Sequence, residues 1–313
     1  MKRYSLGVDI GGTNIQFGII DNNGNLIDFY NVKTEANKGR KKILENILTG
    51  IKVIMENNKK IKLEGIGVGT PGLVDENGKV ITGASNLKGW DGTPVKKFLE
   101  KHFKLNIFVE NDVTALALGE AKFGAGKNYH NALCLAFGTG LGGGIIIDKK
   151  IYRGKFGYAA EFGHIVVNPE GPKCSCGNRG CLETYASTVG LKRMVKERIK
   201  KNSKLLKKAG NIANITPKFL FDEYKNNNKE AKEIIKEMGY YLSMGIGILV
   251  NIFDPDVIIL AGGISKAGKV LTDLIKENVY KFALPFYKNR INIKISKFKD
   301  KAGVIGTASL VFE

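Results

Sequence analysis

Cys174, Cys176 and Cys181 lie in the run Cys174-Ser175-Cys176-Gly177-Asn178-Arg179-Gly180-Cys181, and His164 precedes them. Three of the four cysteines and one of the three histidines are gathered in this segment. Three thiolates with an imidazole are a ligand set that Zn²⁺ takes in tetrahedral structural sites, and a chain kept in a reducing compartment rarely pairs its cysteines as disulfides. The alternative is a cluster of free thiols with a chance histidine. Cys134 stands in the apolar stretch Ala132 to Phe137 and reads as a core residue, while His102 and His130 carry no comparable signal.

Two glycine-rich runs offer a second chemistry. Asp9-Ile10-Gly11-Gly12-Thr13 falls between two apolar stretches, where glycines let backbone N–H groups approach an anion with no Cβ in the way. This is a candidate phosphate cradle, and the Asp9 carboxylate could hold Mg²⁺ directly or through water. A tight hairpin with a capping aspartate would give the same residues. Phe137-Gly138-Thr139-Gly140-Leu141-Gly142-Gly143-Gly144 is the second run, read as a turn over Gly138 to Gly144 that admits a ligand close to the backbone. Gly262-Gly263, after the apolar run Val257 to Leu260, could admit a flat adenosine in the same way or be only a turn. Neither a P-loop Gly-Lys-Ser/Thr nor a Rossmann spacing is present.

Strands are expected at Tyr4–Val8, Ile15–Ile20 and Leu26–Tyr30, the last two joined by the turn Asp21-Asn22-Asn23-Gly24-Asn25. Ile43, Leu44, Ile47, Leu48, Ile51 and Ile54 form one face of a helix over Lys41 to Glu56. Ile66–Val68 is a buried strand before the turn Gly69-Thr70-Pro71-Gly72. Strand, glycine turn, strand then recurs at Ala132–Phe137, Gly138–Gly144 and Ile145–Ile147, with Gly11 falling on Gly138, Gly12 on Thr139, Thr13 on Gly140 and Asp21 on Asp148. Ala136 takes the place of Asp9, so only the first copy carries a metal-side carboxylate. Such an internal repeat predicts an α/β protein of two pseudo-symmetric lobes with an interlobe cleft. Val113–Phe123 is alanine-rich and helical, a lysine-rich helical region runs from about Ser187 to Met238, and Ala302–Val311 reads as a short helix returning to the first lobe.

At 313 residues, 43% of them hydrophobic, the chain can bury a sizeable core in two domains. The net charge of +19 raises the question of nucleic acid, but the lysines are interleaved with apolar residues at helical spacing and read as solvated helix faces. A basic field also suits an anionic substrate. The opening Lys2-Arg3 leads into a short apolar run that Asp9 and paired glycines interrupt, so no secretory leader is expected and the protein is assigned to the cytoplasm. Leu242–Phe253, the most apolar stretch, is too short for a bilayer span, which needs about 20 apolar residues.

Taken together, the chain resembles the ROK family of sugar kinases and repressors. Cys174 through Glu183 carries the family's Cys-x-Cys-Gly-x-x-Gly-Cys-x-Glu signature whole, Glu161-Phe162-Gly163-His164 matches its Glu-x-Gly-His, and Glu110-Asn111-Asp112 matches its catalytic-aspartate segment. The two glycine turns match its phosphate loops. The resemblance implies an actin-like, ribonuclease-H-like ATPase fold and transfer of the ATP γ-phosphoryl to a hexose, typically at the 6-hydroxyl. Asp112 would be the general base, although it could also be the N-cap of the helix that follows it. The resemblance also implies sugar contacts from Gly72, Asn86, Asn111, Asp112, Glu161, His164 and Glu183. Asp9, Gly11, Gly12, Thr13, Gly138, Thr139, Gly140, Gly262 and Gly263 would take the nucleotide, and His164, Cys174, Cys176 and Cys181 a structural Zn²⁺. In the family His164 serves metal and sugar through its two ring nitrogens.

These assignments place an N-terminal lobe over residues 1–113, with a helix at about 300–313 packed back on it, and a C-terminal lobe over 114–299 with its zinc-binding segment at 161–183. Glucose is the expected substrate, ahead of fructose, mannose, allose or an N-acetylated hexosamine, and a dimer or tetramer is the expected assembly. The family's repressors set a competing reading. With the first strand at Tyr4, no helix-turn-helix domain is expected ahead of it, and the glycine turns with Asp112 favour an enzyme that binds neither nucleic acid nor membrane.

Overall fold

The computed structural model describes residues 2–84 and 86–313 and resolves two compact units, one of Met1–Leu133, Gly144–Ala160 and Lys297–Glu313, the other of Cys134–Gly143 and Glu161–Ser296. The first unit opens with an antiparallel meander of β1 (Tyr4–Ile10), β2 (Asn14–Asp21) and β3 (Leu26–Lys33). Asp21 fixes the second turn, because its Oδ1 accepts from the backbone N–H groups of Asn23 and Asn25, each at 2.9 Å. Helix α1 (Arg40–Asn57) buries Ile43, Ile47, Ile51 and Ile54, the face its periodicity marks.

β4 (Leu63–Thr70) pairs parallel with β1, a small ribbon of β5 (Leu73–Val74) and β6 (Val80–Thr82) follows, and α2 (Val95–Glu100) leads to β7 (Asn106–Asn111), parallel to β4. The sheet order is β3-β2-β1-β4-β7, and Leu6, Val8, Phe17, Ile47, Val68 and Trp90 share one core beneath it. α3 (Asp112–Phe123) leaves β7 directly.

β8 (Ala132–Phe137), β9 (Leu141–Ile147) and β10 (Lys150–Ile151) begin the repeat. The turn is shorter than expected: only Gly138-Thr139-Gly140 is a turn, and Gly142 to Gly144 belong to β9. Gly144 is a packing glycine rather than a ligand glycine, since a Cβ there would lie 2.4 Å from the Ala117 Cβ of α3. The second unit continues with α4 (Glu183–Ala186), α5 (Thr188–Arg198), α6 (Lys204–Ala209), α7 (Pro217–Lys225) and α8 (Lys229–Phe253). Ser187, Ser203, Thr216 and Asn228 cap α5 to α8 through their side chains, while Lys192, Lys196, Lys204 and Lys207 lie exposed, as solvated faces should. β11 (Val257–Gly262), α9 (Lys269–Asn278) and β12 (Ile293–Ile295) complete it.

The second sheet has the order β10-β9-β8-β11-β12, with β9 and β10 antiparallel and β11 and β12 parallel, so it repeats the first sheet strand for strand. The closing helix α10 (Ala302–Ser309) packs on β1 and β4 and crosses α3. Glycines on the helix-facing side of these strands make this possible, because a Cβ on Gly7 would sit 2.2 Å from the Val304 carbonyl oxygen and one on Gly67 1.8 Å from that of Thr307. The α3–α10 crossing holds α3 in the first unit, whereas the sequence draws the boundary at residue 113. Among the described residues no helix is long and apolar enough to cross a membrane.

Candidate active site

The first unit carries Asp9 at the end of β1 and Asp112 at the start of α3, which β1-β4-β7 pairing brings together although they are far apart in sequence. Both side chains are partly buried. Burial, reinforced by the Asp112 charge, pushes the Asp9 carboxyl up to about 7. Burial also raises Asp112, against the opposing pull of the Val113 N–H that its Oδ1 accepts at 2.9 Å. Gly303 of α10 backs this pair, since a Cβ there would meet Asp9 Oδ2 at 2.2 Å. Two adjacent, partly buried carboxylates fit a divalent cation, and Asp9 is the residue that would hold Mg²⁺.

Asp112 is not the N-cap. That role belongs to Asn111, whose Oδ1 accepts from the N–H groups of Val113 at 2.9 Å and Thr114 at 3.1 Å. Asn111 Nδ2 donates to the Gly72 carbonyl at 3.1 Å, so the Asn111 side chain is largely committed to structure and its Nδ2 has one N–H left for a ligand. Gly72 has φ +94°, a glycine conformation, and a Cβ would lie 2.6 Å from the Thr82 carbonyl oxygen. Gly12 and Thr13 are exposed in the β1–β2 turn, Gly11 N–H donates to Asn14 O at 3.1 Å, and Asn86 flanks Gly12, its Cβ 3.4 Å from where a Gly12 Cβ would be. The hairpin therefore keeps an open backbone edge beside Asn86.

In the second unit, the His164, Cys174, Cys176 and Cys181 ligand atoms all lie within 4.8 Å of one another. Cys176 and Cys181 Sγ are 3.6 Å apart, and Cys174 Sγ is 3.7 Å from His164 Nδ1. A tetrahedral Zn²⁺ with Zn–S bonds near 2.3 Å sets ligand edges of about 3.5–3.8 Å, which these two distances match, and three thiols with an imidazole are a donor set that Zn²⁺ takes. Burial, with the Cys176 and Cys174 thiols, pushes Cys181 up to about 12, while the Asn178 backbone N–H chiefly lowers Cys176. The knuckle depends on its glycines: Gly177 has φ +99°, and a Cβ on Gly180 would lie 1.5 Å from the Asn168 carbonyl oxygen. His164 Nε2 faces away from the thiols, 3.7 Å from Glu161 Oε2.

Glu183 opens α4, and its Oε2 accepts from the Leu141 N–H at 2.9 Å. Gly262, with φ +82°, is required by its neighbour, because a Cβ would lie 2.3 Å from the Phe137 carbonyl oxygen, and Gly263 N–H donates to that oxygen at 2.7 Å. The strand-end turn thus accounts for Gly262, whereas at Gly263 a Cβ would make only an ordinary contact, 3.7 Å from the same oxygen, and the turn does not require a glycine. The sequence marks Glu110 only as part of the Glu110-Asn111-Asp112 match and gives it no role; it is buried at the end of β7, where Arg153 Nε donates to it at 2.7 Å and where it accepts from the Asn111 N–H at 2.9 Å. It braces the strand that delivers Asn111 and Asp112, and its partner Arg153 is too distant in sequence to signal the pairing.

Asp9 also gives a pH signature. Its carboxyl is raised when folded, so the folded chain holds the proton more tightly, and stability falls as pH rises from the ordinary carboxylate range to about 7. Asp9→Asn removes this dependence. Without nucleotide, the variant should be more stable than wild type at pH 8 by about 2 kcal/mol after discounting for partial exposure, and so melt at a higher temperature, and the gap should close near pH 4. Thermal melts across that range check it, and a gap independent of pH would refute it.

Comparison with known proteins places these features in context. The sequence profile described as "ROK family" matches residues 5–313. A glucokinase from Thermotoga maritima is 32% identical over 100% of this chain and 98% of its own. A xylose repressor from Caldicellulosiruptor bescii is 32% identical over 98% of this chain and 77% of its own. The crystal structure of a ROK family glucokinase from Streptomyces griseus in complex with glucose and AMPPNP superposes with a TM-score of 0.83 at 32% identity, covering 99% of both chains. The duplicated sheets are those of the actin-like ATPase fold, and the chain belongs to the ROK family.

Proposed function

We propose that this protein is an ATP-dependent hexose kinase that phosphorylates glucose at its 6-hydroxyl. The observation that carries the reading is the pair of partly buried carboxylates, Asp9 and Asp112, beside an open glycine hairpin. The relatives named glucokinase, one of them solved with glucose and an ATP analogue, support the choice of sugar and donor. Asp112 is the general base: the hexose oxygen bonds to the γ-phosphorus as the β–γ bridging P–O bond breaks, ADP leaves, and the hydroxyl proton passes to Asp112. Gly12, Thr13, Thr139 and Gly140 receive phosphate oxygens on backbone N–H groups, while the Gly11 and Gly138 N–H groups, already donated to Asn14 O at 3.1 Å and Gly140 O at 3.0 Å, shape the two turns. Mg²⁺, held by Asp9, would neutralise phosphate charge.

Asn86, Asn111, Glu161 and His164 orient the sugar. The Nδ1 face of His164 meets the thiols and its Nε2 face meets Glu161, so a metal on Nδ1 fixes the ring nitrogen offered to a hydroxyl. ADP production with Mg-ATP across a panel of hexoses tests the reading. Glucose should give the highest kcat/KM, and the absence of any sugar-dependent ADP would reject it. The xylose repressor similarity favours a second reading, a sugar-responsive DNA-binding protein. Salt-sensitive, sequence-specific DNA binding without sugar-dependent turnover would select it.

A further inference from the structure

Three hydrogen bonds and one close packing contact tie the stretch Gly138–Leu141 to the chain on either side of the cysteine knuckle. Glu183, two residues beyond Cys181, accepts from the Leu141 N–H through Oε2 at 2.9 Å. Its other oxygen, Oε1, lies 4.0 Å from Cys174 Sγ. The first turn of α5 donates to the glycine turn, Thr188 N–H to Gly138 O at 3.3 Å and Val189 N–H to Thr139 O at 3.2 Å. Gly163, beside His164, packs so closely on the same strand start that a Cβ would lie 2.2 Å from the Leu141 carbonyl oxygen. Leu141 is therefore gripped from both ends of the metal-binding segment.

Gly140 shows how close the fit is. A Cβ there would lie 2.1 Å from Glu183 Oε2, yet Gly140 does not adopt positive φ. Its lack of a side chain makes room for the Glu183 carboxylate and serves no conformational need.

We infer that Glu183 is a positioning residue that straps the metal-binding segment to the phosphate turn, so that the metal sets nucleotide affinity as well as hexose affinity. The inference rests on the reading that Gly138–Gly140 receives nucleotide phosphate. A carboxylate holding Leu141 N–H fixes the turn's exit, and the two α5 N–H groups fix its carbonyls outward. The turn's remaining N–H groups are then oriented before the nucleotide arrives. Releasing the strap leaves the turn to be ordered by the ligand, and affinity falls.

Calorimetric titration of Mg²⁺–AMPPNP in the absence of sugar tests this. Glu183→Ala should weaken nucleotide binding by about tenfold or more, the loss of one charge-assisted hydrogen bond. Glu183→Gln keeps an oxygen acceptor for Leu141 N–H and should stay within about threefold of wild type. Gly140→Ala should weaken binding in the wild-type background and add little to Glu183→Ala, because its steric partner is then gone. Protein stripped of its metal by a chelator, then dialysed into Mg²⁺, should show the Glu183→Ala loss. Wild-type nucleotide affinity in Glu183→Ala, with only hexose binding reduced, would overturn the inference alone. A wild-type protein that binds no AMPPNP would overturn the kinase reading and this inference with it.

Discussion

Asp112→Asn lowers turnover by about 10²- to 10⁴-fold, while hexose affinity, nucleotide affinity and melting temperature stay near wild type. The structure separates the catalytic from the structural role at this position. Asn111 caps α3, so the substitution at Asp112 leaves both cap hydrogen bonds in place. A negative charge in the first helical turn normally contributes about 0.3–1 kcal/mol through the helix dipole, but burial penalises the same charge and raises the Asp112 pKa. The two effects oppose each other, and the net change in stability is small. The raised pKa has a kinetic consequence: a base must be ionised to accept the hydroxyl proton, so kcat/KM should fall as pH drops through a value above the usual carboxylate range. Asn111→Ala supplies the contrast, since it uncaps α3 and releases Gly72, costing about 1 kcal/mol of stability as well as activity. Activity within tenfold of wild type in Asp112→Asn would remove Asp112 from the mechanism.

The neighbouring pair Asn111-Asp112 shows where the sequence could be read and where it could not. Both are good N-cap residues, and periodicity places a helix start only to within a residue or two, so capping and catalysis could not be apportioned between them. The meander of β1 to β3, the α1 face and the repeat of strand, turn and strand were legible because each is a local pattern. The Cys/His segment was legible because its spacing is itself the ligand geometry. The parallel strands β7 and β12 and the β5–β6 ribbon were not, being short and defined by partners distant in sequence. For the same reason nothing in the run Gly142 to Gly144 distinguished a ligand loop from a strand packed against α3. Gly303 behind Asp9 and Arg153 on Glu110 are likewise tertiary facts with no local signal.

Removal of the metal should have the largest effect on the second unit, and Cys176→Ala is the variant that reports it cleanly. Cys181 and Cys174 are buried, so their truncation would mix lost packing with lost ligation, whereas Cys176 is exposed and contributes little to the core. A fall in stability on replacing Cys176 therefore measures the ion rather than a cavity. Structural Zn²⁺ supplies up to about 10–16 kcal/mol in small zinc-folded peptides, and here that upper bound is shared with a segment already braced by the Leu182 and Val167 backbone bonds. We expect the melting temperature to fall by several degrees, the bound metal to drop from one ion per chain to a small fraction, and hexose KM to rise about 10- to 100-fold, as when a ligand's orientation is lost. The rise follows from His164: with no metal on Nδ1, the ring is free to turn and Nε2 is no longer presented beside Glu161. Elemental analysis, thermal melts and sugar kinetics on wild type, Cys176→Ala and chelated protein check each step. Unchanged sugar kinetics in protein shown to be metal-free would mean that the cluster orients nothing.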